Sequence, residues 1–545
     1  MARLGLGRNV RSPEQELRDA MPKVLIADKM SPRAAEVFRE RGVEVDVDTG
    51  LAPEELAKII GAYDGLAVRS STRATGEIIA AAENLKVIGR AGIGVDNIDI
   101  PAATARGIVV MNTPFGNSIT TAEHAIAMMM ALARQIPLAN ASTQDGKWEK
   151  SRFMGVELCN KVLGVIGCGN IGAIAARLAI GLKMRVIAYD PYLSADRASE
   201  LGVTKVGLDE LLSRADMITL HVPLTDETRD ILDADAFAKT KRGVRIVNCA
   251  RGGLVNEDAL KAAIESGHVA GAALDVFANE PARENPLFGM EQVVATPHLG
   301  ASTEEAQVKV AVQVAEQMSD FLLDGAVTNA VNMPSVGAEE MAVLGPYITL
   351  AEQLGSFAGQ LTTTGIRSVT IEYEGDAAAL KAQPLTAVVL AGLLRPQLDN
   401  VNAVSAPAVA KERGIDVREV KCGDCRHYRT LMRLTVVTER QERTVAGTLF
   451  ADDRPRIVNI KGIPIEAELT PDMLYITNDD KPGLIGAMGR TLGDADVNIA
   501  TFALGRSKEG GDAIALVAID GALPDDALAA LRALPAITQV MPLRF

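Results

Sequence analysis

"KVLGVIGCGNIG" (161–172), followed by "RVIAYD" (185–190), decides the fold. An apolar run that reads as a strand ends in Gly167-Cys168-Gly169-Asn170-Ile171-Gly172, the helix-period stretch NIGAIAARLAIGLK follows, and a second strand closes on Asp190. The first two glycines allow a tight turn and close approach of backbone to a pyrophosphate. The third lets the helix pack on the strand, and the helix N-terminus, with Asn170 and Ile171, faces the phosphates. Asp190 stands eighteen residues beyond Gly172, where a carboxylate accepts a ribose 2′-hydroxyl and repels a 2′-phosphate; no arginine follows in Asp190-Pro191-Tyr192. The whole βαβ fingerprint is present, and it reads as a dinucleotide site that takes NAD rather than NADP.

Working outward, short β-rich runs (VLIAD, VEVDVD, GLAVRS, LKVIGRAG, GIVVMN) alternate with helical stretches from Lys23 onward, which predicts a first parallel sheet built of βα units. The long helix SITTAEHAIAMMMALARQI leads through DGKWEKSRFMGVEL to the second series. Beyond residue 332 the pattern changes to helices and strand runs (VTIEYEG, LMRLTVVTE, RTVAGTLF, RIVNIKGIPIEAEL) without a motif tied to chemistry. From 471 the order is strand, helix, strand, strand, helix, strand, a ferredoxin-like βαββαβ unit. The fold class expected is α/β, two doubly wound parallel-sheet domains followed by an α+β domain and this smaller unit.

At 545 residues the chain has room for three or four domains. A net charge of -14 argues against nucleic acid or an anionic membrane as partner. The longest strongly apolar run, AIAMMMALA, is too short to span a bilayer, and the first twenty residues lack the pattern of a secretory signal. Five cysteines, an odd number, fit reduced thiols in the cytoplasm. The one CxxC, in CGDCRH (422–427), offers three ligands at most with His427, so loop thiols rather than a zinc site are expected, and no metal is.

A nicotinamide site needs a group that moves a proton, and histidine's ordinary pKa suits it. Of the five histidines, His124 reads as structural in its apolar helix, His268 as solvated, and His427 lies outside the wound sheets; His221, ending a strand, is either cavity lining or packed. His298 sits at a strand's carboxyl end in VVATPHLGAS, with Asp275 and Glu280 upstream in LDVFANEP. Arg251, in NCARGGLVNEDAL, likewise follows a strand and is followed by two glycines that leave its surroundings bare. Cys249 and Asp275, each at the end of a strand, are expected to border the cofactor.

The ordered set GCGNIG with Asp190, NCARGGLVNEDAL, ALDVFANEP and ATPHLGAS resembles the D-2-hydroxyacid dehydrogenase family. The resemblance implies that Arg251 holds the substrate's carboxylate, His298 exchanges the hydroxyl proton and Glu280 supports the imidazole. It also implies that the first domain is discontinuous, 21–117 with 299–328, around an NAD domain at 118–298. The segments AVRSSTRAT, GRAGIGVDNID, NTPFGNSITTAEHAIAMMMALARQIP and DGKWEKSRFMG resemble the phosphoglycerate-oxidising branch of that family, implying 3-phosphoglycerate as substrate with Arg69, Ser70 and Arg90 on its side of the cleft. Trp148 resembles a residue that this branch inserts into a neighbouring subunit, so a homo-oligomer is expected. The tail resembles the branch's long form: an intervening allosteric-type domain at 332–470 and an ACT domain at 471–545, with Asn478, Asp480 and Asn498 matching positions that hold an amino-acid effector, here L-serine. Two rivals are a glycerate- or lactate-type dehydrogenase and a non-catalytic NAD-sensing protein on the same scaffold.

Overall fold

The computed structural model describes residues 21–545 other than Phe115, Asp399, Asn400, Cys425, Arg426 and Asp452. Strands β1 (Lys23–Ile26), β2 (Glu44–Val47), β3 (Gly65–Val68), β4 (Val87–Arg90) and β5 (Val109–Met111) form a parallel sheet in the order β2-β1-β3-β4-β5. The inner strands β1, β3 and β4 and the edge strand β5 are largely apolar because both faces are covered, whereas the edge strand β2 carries Glu44 and Asp46. Val24 and Ile26 face helix α1 (Arg33–Glu40) and one side of the sheet, while Leu25, Leu66 and Ile88 face the other. The last layer comes from far down the chain. Another long helix, Glu304–Asp324, buries Val310, Val314 and Met318 against this first sheet.

The second sheet has the order β12-β11-β10-β9-β6-β7-β8, with β6 (Val162–Ile166), β7 (Arg185–Tyr189), β8 (Thr204–Lys205), β9 (Met217–Leu220), β10 (Val244–Asn248), β11 (Val269–Leu274) and β12 (Val293–Ala295), every pairing parallel. Strand order reverses between β6 and β9, which opens a crevice at their carboxyl ends. Helix α2 (Ser118–Arg134) closes one face with Ala125, Met128, Met129 and Leu132; helix α3 (Asn170–Gly181) starts directly from the glycine turn.

The third sheet is mixed, β14-β13-β15-β16-β17-β18, from β13 (Ile366–Gly375), β14 (Asp416–Cys422), β15 (Thr430–Thr438), β16 (Glu442–Leu449), β17 (Pro455–Ile460) and β18 (Ile463–Ala467). The stretch RIVNIKGIPIEAEL, one run by composition, is a hairpin: Lys461 and Gly462 both take positive φ, 51° and 80°, and Ile460 pairs with Ile463. Two left-handed residues in succession are what a two-residue hairpin turn requires. The last sheet, β20-β21-β19-β22, combines β19 (Asp472–Asp479), β20 (Ile499–Arg506), β21 (Asp512–Ile519) and β22 (Ile537–Arg544) in antiparallel pairs.

Helix Ala338–Gln360 joins these last two sheets into one core. Its Leu350, Leu354 and Phe357 pack with Val369 and Met432 of the third sheet and with Met473, Tyr475, Leu516 and Leu543 of the fourth. Phe357 meets Tyr475 edge-on at 5.8 Å. Gln360 exchanges two hydrogen bonds with the Arg544 backbone, donating at 2.7 Å and accepting at 2.9 Å. No described helix is long and apolar enough to cross a membrane.

Candidate active site

The glycine turn is closed where it packs on itself and open where a ligand must approach. A β-carbon at Gly172 would stand 2.0 Å from the Gly167 carbonyl oxygen, whereas one at Gly169 would meet nothing within 4 Å. Asn170 and Ile171 open α3 beside it. Asp190 follows β7 directly, and its two oxygens accept from the backbone N–H of Cys168 and of Tyr192, each at 2.8 Å. It therefore braces the turn that it borders. These residues fit NAD. His221 directly follows β9, the neighbour of β6, with Nε2 3.0 Å from the Thr219 hydroxyl and Nδ1 buried without a partner; burial pushes its pKa down to about 4.

Asp275, just past β11, is fully buried, and its carboxylate is spent on the turn that carries His298. It accepts from the Thr296 hydroxyl at 2.5 Å, the Leu299 N–H at 2.7 Å and the Gly300 N–H at 2.8 Å, with His124 Nε2 at 3.3 Å. Burial alone raises such a carboxyl, but the bonds from His124, Thr296 and Leu299 outweigh it and hold Asp275 below the ordinary range. Potential ligand atoms of His124, Cys249 and Asp275 lie within 4.8 Å of one another. Burial, with the Asp275 charge, pushes the Cys249 thiol pKa up, and the Asp275 carboxylate is engaged by Thr296, Leu299 and Gly300.

His298 Nδ1 lies 2.7 Å from Glu280 Oε2, and the other Glu280 oxygen accepts from the Phe277 N–H at 3.0 Å. Burial pushes the Glu280 carboxyl up; its hydrogen bonds with His298 and Phe277 more than offset that, leaving it below the usual value. His298 has a left-handed backbone, φ 56°, fixed by its N–H donating to the Asp275 carbonyl at 2.9 Å. Among the described residues its Nε2 has no partner, so that nitrogen is the one available to a substrate.

Three arginines converge from both sheets. Arg251, three residues past β10, donates from Nη1 to the Ala250 carbonyl at 2.7 Å and from Nε to Asp96 at 3.1 Å. Its Nη2 lies flush on Gly94, where a β-carbon would be 1.8 Å away. Arg90, the last residue of β4, packs in the same way on Gly92 and has a buried Nε without a partner. Burial and then the charge of Arg251 push its pKa down to about 10, with Arg69 adding to the repulsion. Arg69, beside Ser70, is held by its N–H to Asp28 at 2.6 Å and by Nη1 to the Lys29 carbonyl at 3.1 Å. Asp28 and Asp96, which sequence reasoning passed over, both follow strands of the first sheet. The signal was there in VLIAD and in the glycines of GRAGIGVDN.

The distal set divides. Asp480 accepts from Arg506 at 2.9 Å and from the Gly510 N–H at 3.2 Å, and these bonds, Arg506 first, hold its carboxyl low. Asn478 is buried, with Oδ1 unpartnered. Asn498 instead donates to Asp520 at 2.7 Å. Of the CxxC pair, Cys422 is exposed and Cys425 lies outside the described residues, as do residues 1–20. Trp148 is 87% exposed.

A glycine turn at a strand-order reversal, with an arginine and a glutamate-backed histidine at neighbouring strand ends, defines an NAD-dependent dehydrogenase of the D-2-hydroxyacid type. Residues 126–300 match the family described as "D-isomer specific 2-hydroxyacid dehydrogenase, NAD binding domain", residues 343–461 the "D-3-phosphoglycerate dehydrogenase intervening domain", and residues 473–536 the "ACT domain". The chain is 46% identical to D-3-phosphoglycerate dehydrogenase of Synechocystis over 510 residues, 93% of this chain and 92% of the relative. It is 44% identical to that of Archaeoglobus fulgidus over 502 residues, 91% and 95% of the two chains. It belongs to the D-3-phosphoglycerate dehydrogenase family. Among solved structures, a glyoxylate reductase from Paecilomyes thermophila matches with a TM-score of 0.54 at 30% identity, covering 57% of this chain and 98% of its own.

Proposed function

We propose that this chain oxidises D-3-phosphoglycerate to 3-phosphohydroxypyruvate with NAD, the first step of L-serine biosynthesis. The observation that carries the substrate is Arg90: a guanidinium with a buried, unpartnered Nε, crowded by Arg251 and Arg69, is a standing electrostatic cost that an anion relieves. One carboxylate and one phosphate supply the anions that three arginines call for. Arg251 holds the α-carboxylate and the C2 oxygen. Arg69, Ser70 and Arg90 receive the phosphorylated end.

His298 Nε2 takes the C2 hydroxyl proton as C2 is oxidised, and Glu280 holds Nδ1–H and stabilises the imidazolium that forms. NAD would be held by Gly167, Gly169 and Gly172 with Cys249 at its border, and would supply the hydride acceptor. Asp275 serves that site through the turn: it fixes the backbone of residues 298–300 and so the place of the imidazole. Asp190 receives the ribose hydroxyls with lone pairs left over from its two backbone bonds.

L-serine is the effector of the C-terminal unit. The unpartnered Asn478 Oδ1 is an acceptor for its ammonium, near Asp480, while Asn498 contributes from a paired unit in a homo-oligomer. Free thiols at Cys159, Cys168, Cys249 and Cys422 are in keeping with a cytoplasmic setting. A substrate panel tests the reading: 3-phosphoglycerate should exceed glycerate and lactate in kcat/KM by at least about a hundredfold, the weight of one charge-assisted hydrogen bond to the phosphate. Equal turnover of the unphosphorylated acids would hand the site to a glycerate- or lactate-type activity.

A further inference from the structure

We propose that Asp96 is a positioning residue for the dehydrogenation, a strut that reaches across the cleft from the first sheet's domain and sets the plane of the Arg251 guanidinium. The inference rests on the reading of this cleft as the site of 3-phosphoglycerate oxidation. Arg251–Asp96 is, among the described residues, the one ion pair that joins the two wound domains. It engages Nε alone, while Nη1 is tied to the Ala250 carbonyl and Nη2 rests on Gly94. A long side chain tethered at two nitrogens and seated on a glycine has little freedom left, and its Nη2 keeps N–H groups without a protein partner among the described residues.

The alternative reading is that Asp96 merely occupies the arginine until a substrate carboxylate displaces it. The loop argues for a strut. Asn97 donates from Nδ2 to the carbonyls of Arg69 and Thr72 at 2.7 and 2.6 Å, and Asn112 donates to the Ile93 carbonyl at 2.6 Å. Asn112 is itself gripped through its carbonyl by Gln317 at 3.0 Å. Both flanks of Asp96 are thereby fastened to the first sheet. Its negative charge also acts on Arg90, raising the pKa that Arg251 lowers. A strut so placed lets Arg251 stay aligned beside Arg90 despite their repulsion.

Asp96→Ala should lower kcat about tenfold, raise KM for 3-phosphoglycerate by less than about threefold, and leave NAD affinity by calorimetry and Tm near wild type. Asp96→Asn, whose carbonyl oxygen still accepts from Nε, should recover most of kcat. In an Arg251→Lys background the Asp96→Ala loss should vanish, because the strut has nothing to hold. A lower KM with kcat retained would instead identify a displaced placeholder and overturn the proposal. So would an Asp96→Ala loss that persists beside Lys at 251, or one accompanied by weaker NAD binding. Failure of the substrate reading shows separately, as a wild type inactive on 3-phosphoglycerate in the same assay.

Discussion

Glu280→Gln is nearly isosteric, yet the hydrogen bonds around it make it a severe change. In the oxidising direction the imidazole starts neutral and gains a proton in the transition state, so the carboxylate stabilises a developing positive charge. Two unit charges at about 4 Å attract by about 4 kcal/mol at an effective dielectric of 20. The His298 and Glu280 side chains are 50% and 35% exposed, so solvent removes more than half of this. That leaves roughly 1.5–2 kcal/mol, or about 10- to 30-fold in kcat. A second cost is geometric. Glu280 accepts at both oxygens, from the Phe277 N–H and from His298 Nδ1, whereas glutamine has one acceptor and one donor. If its NH2 faces Phe277, a backbone donor is orphaned. If it faces His298, Nδ1 becomes the acceptor and Nε2 carries the proton, which removes the base. Either adds about 1–2 kcal/mol, for a total fall in kcat of roughly 10²- to 10³-fold. Initial rates of NADH formation at saturating 3-phosphoglycerate measure it, with His298→Asn as the floor that the variant should not pass. A kcat within about threefold of wild type would refute both the charge argument and the tautomer argument.

Three further outcomes can be checked. Asp190→Ala should weaken NAD binding in calorimetry and narrow the preference over NADP, since a ribose acceptor, a 2′-phosphate repulsion and the brace on Cys168 go together; unchanged affinity for both cofactors would remove Asp190 from the site. Serine should bind and slow the wild type but not the Asp480→Ala, Asn498→Ala double variant; binding without any rate change would leave a site and no switch. The Asp275 carboxyl is held below its ordinary value of about 3.9, so the stability it gives is present above that pH and is lost as pH falls through the lower folded value. Asp275→Asn should therefore flatten the fall in urea midpoint below about pH 4, and an equally steep fall in the variant would show that other carboxylates govern acid unfolding.

What could be read in the sequence follows from how local each signal is. The glycine turn, the strand-end arginine and the histidine with its glutamate are each written within a few neighbouring residues, and a wound sheet brings strand ends together without further instruction. The glycines around Asp96 were legible, but its partner was not, because Arg251 lies 155 residues away and only folding makes them neighbours. Asp275 shows a different difficulty. Its position at a strand end is plain in ALDVFANEP, but the sequence does not say that its carboxylate turns inward to Thr296, Leu299 and Gly300. The third sheet resisted for a third reason: its strand β14 pairs parallel to β13 across two intervening helices, and the helix beginning at Ala338 carries an internal Pro346. Neither leaves a periodic trace.

The core shared through Leu350, Phe357 and Tyr475 bears on how the chain can be cut and recombined. A stop at residue 470 would strip a covering from that helix, and a C-terminal fragment alone would expose Met473, Tyr475, Leu516 and Leu543 on a bare sheet face. Neither piece is a self-sufficient building block. An ancestral chain could acquire the last sheet only together with its cradle, and the two would melt as one cooperative body, so that heat or denaturant reports fewer transitions than the chain has sheets.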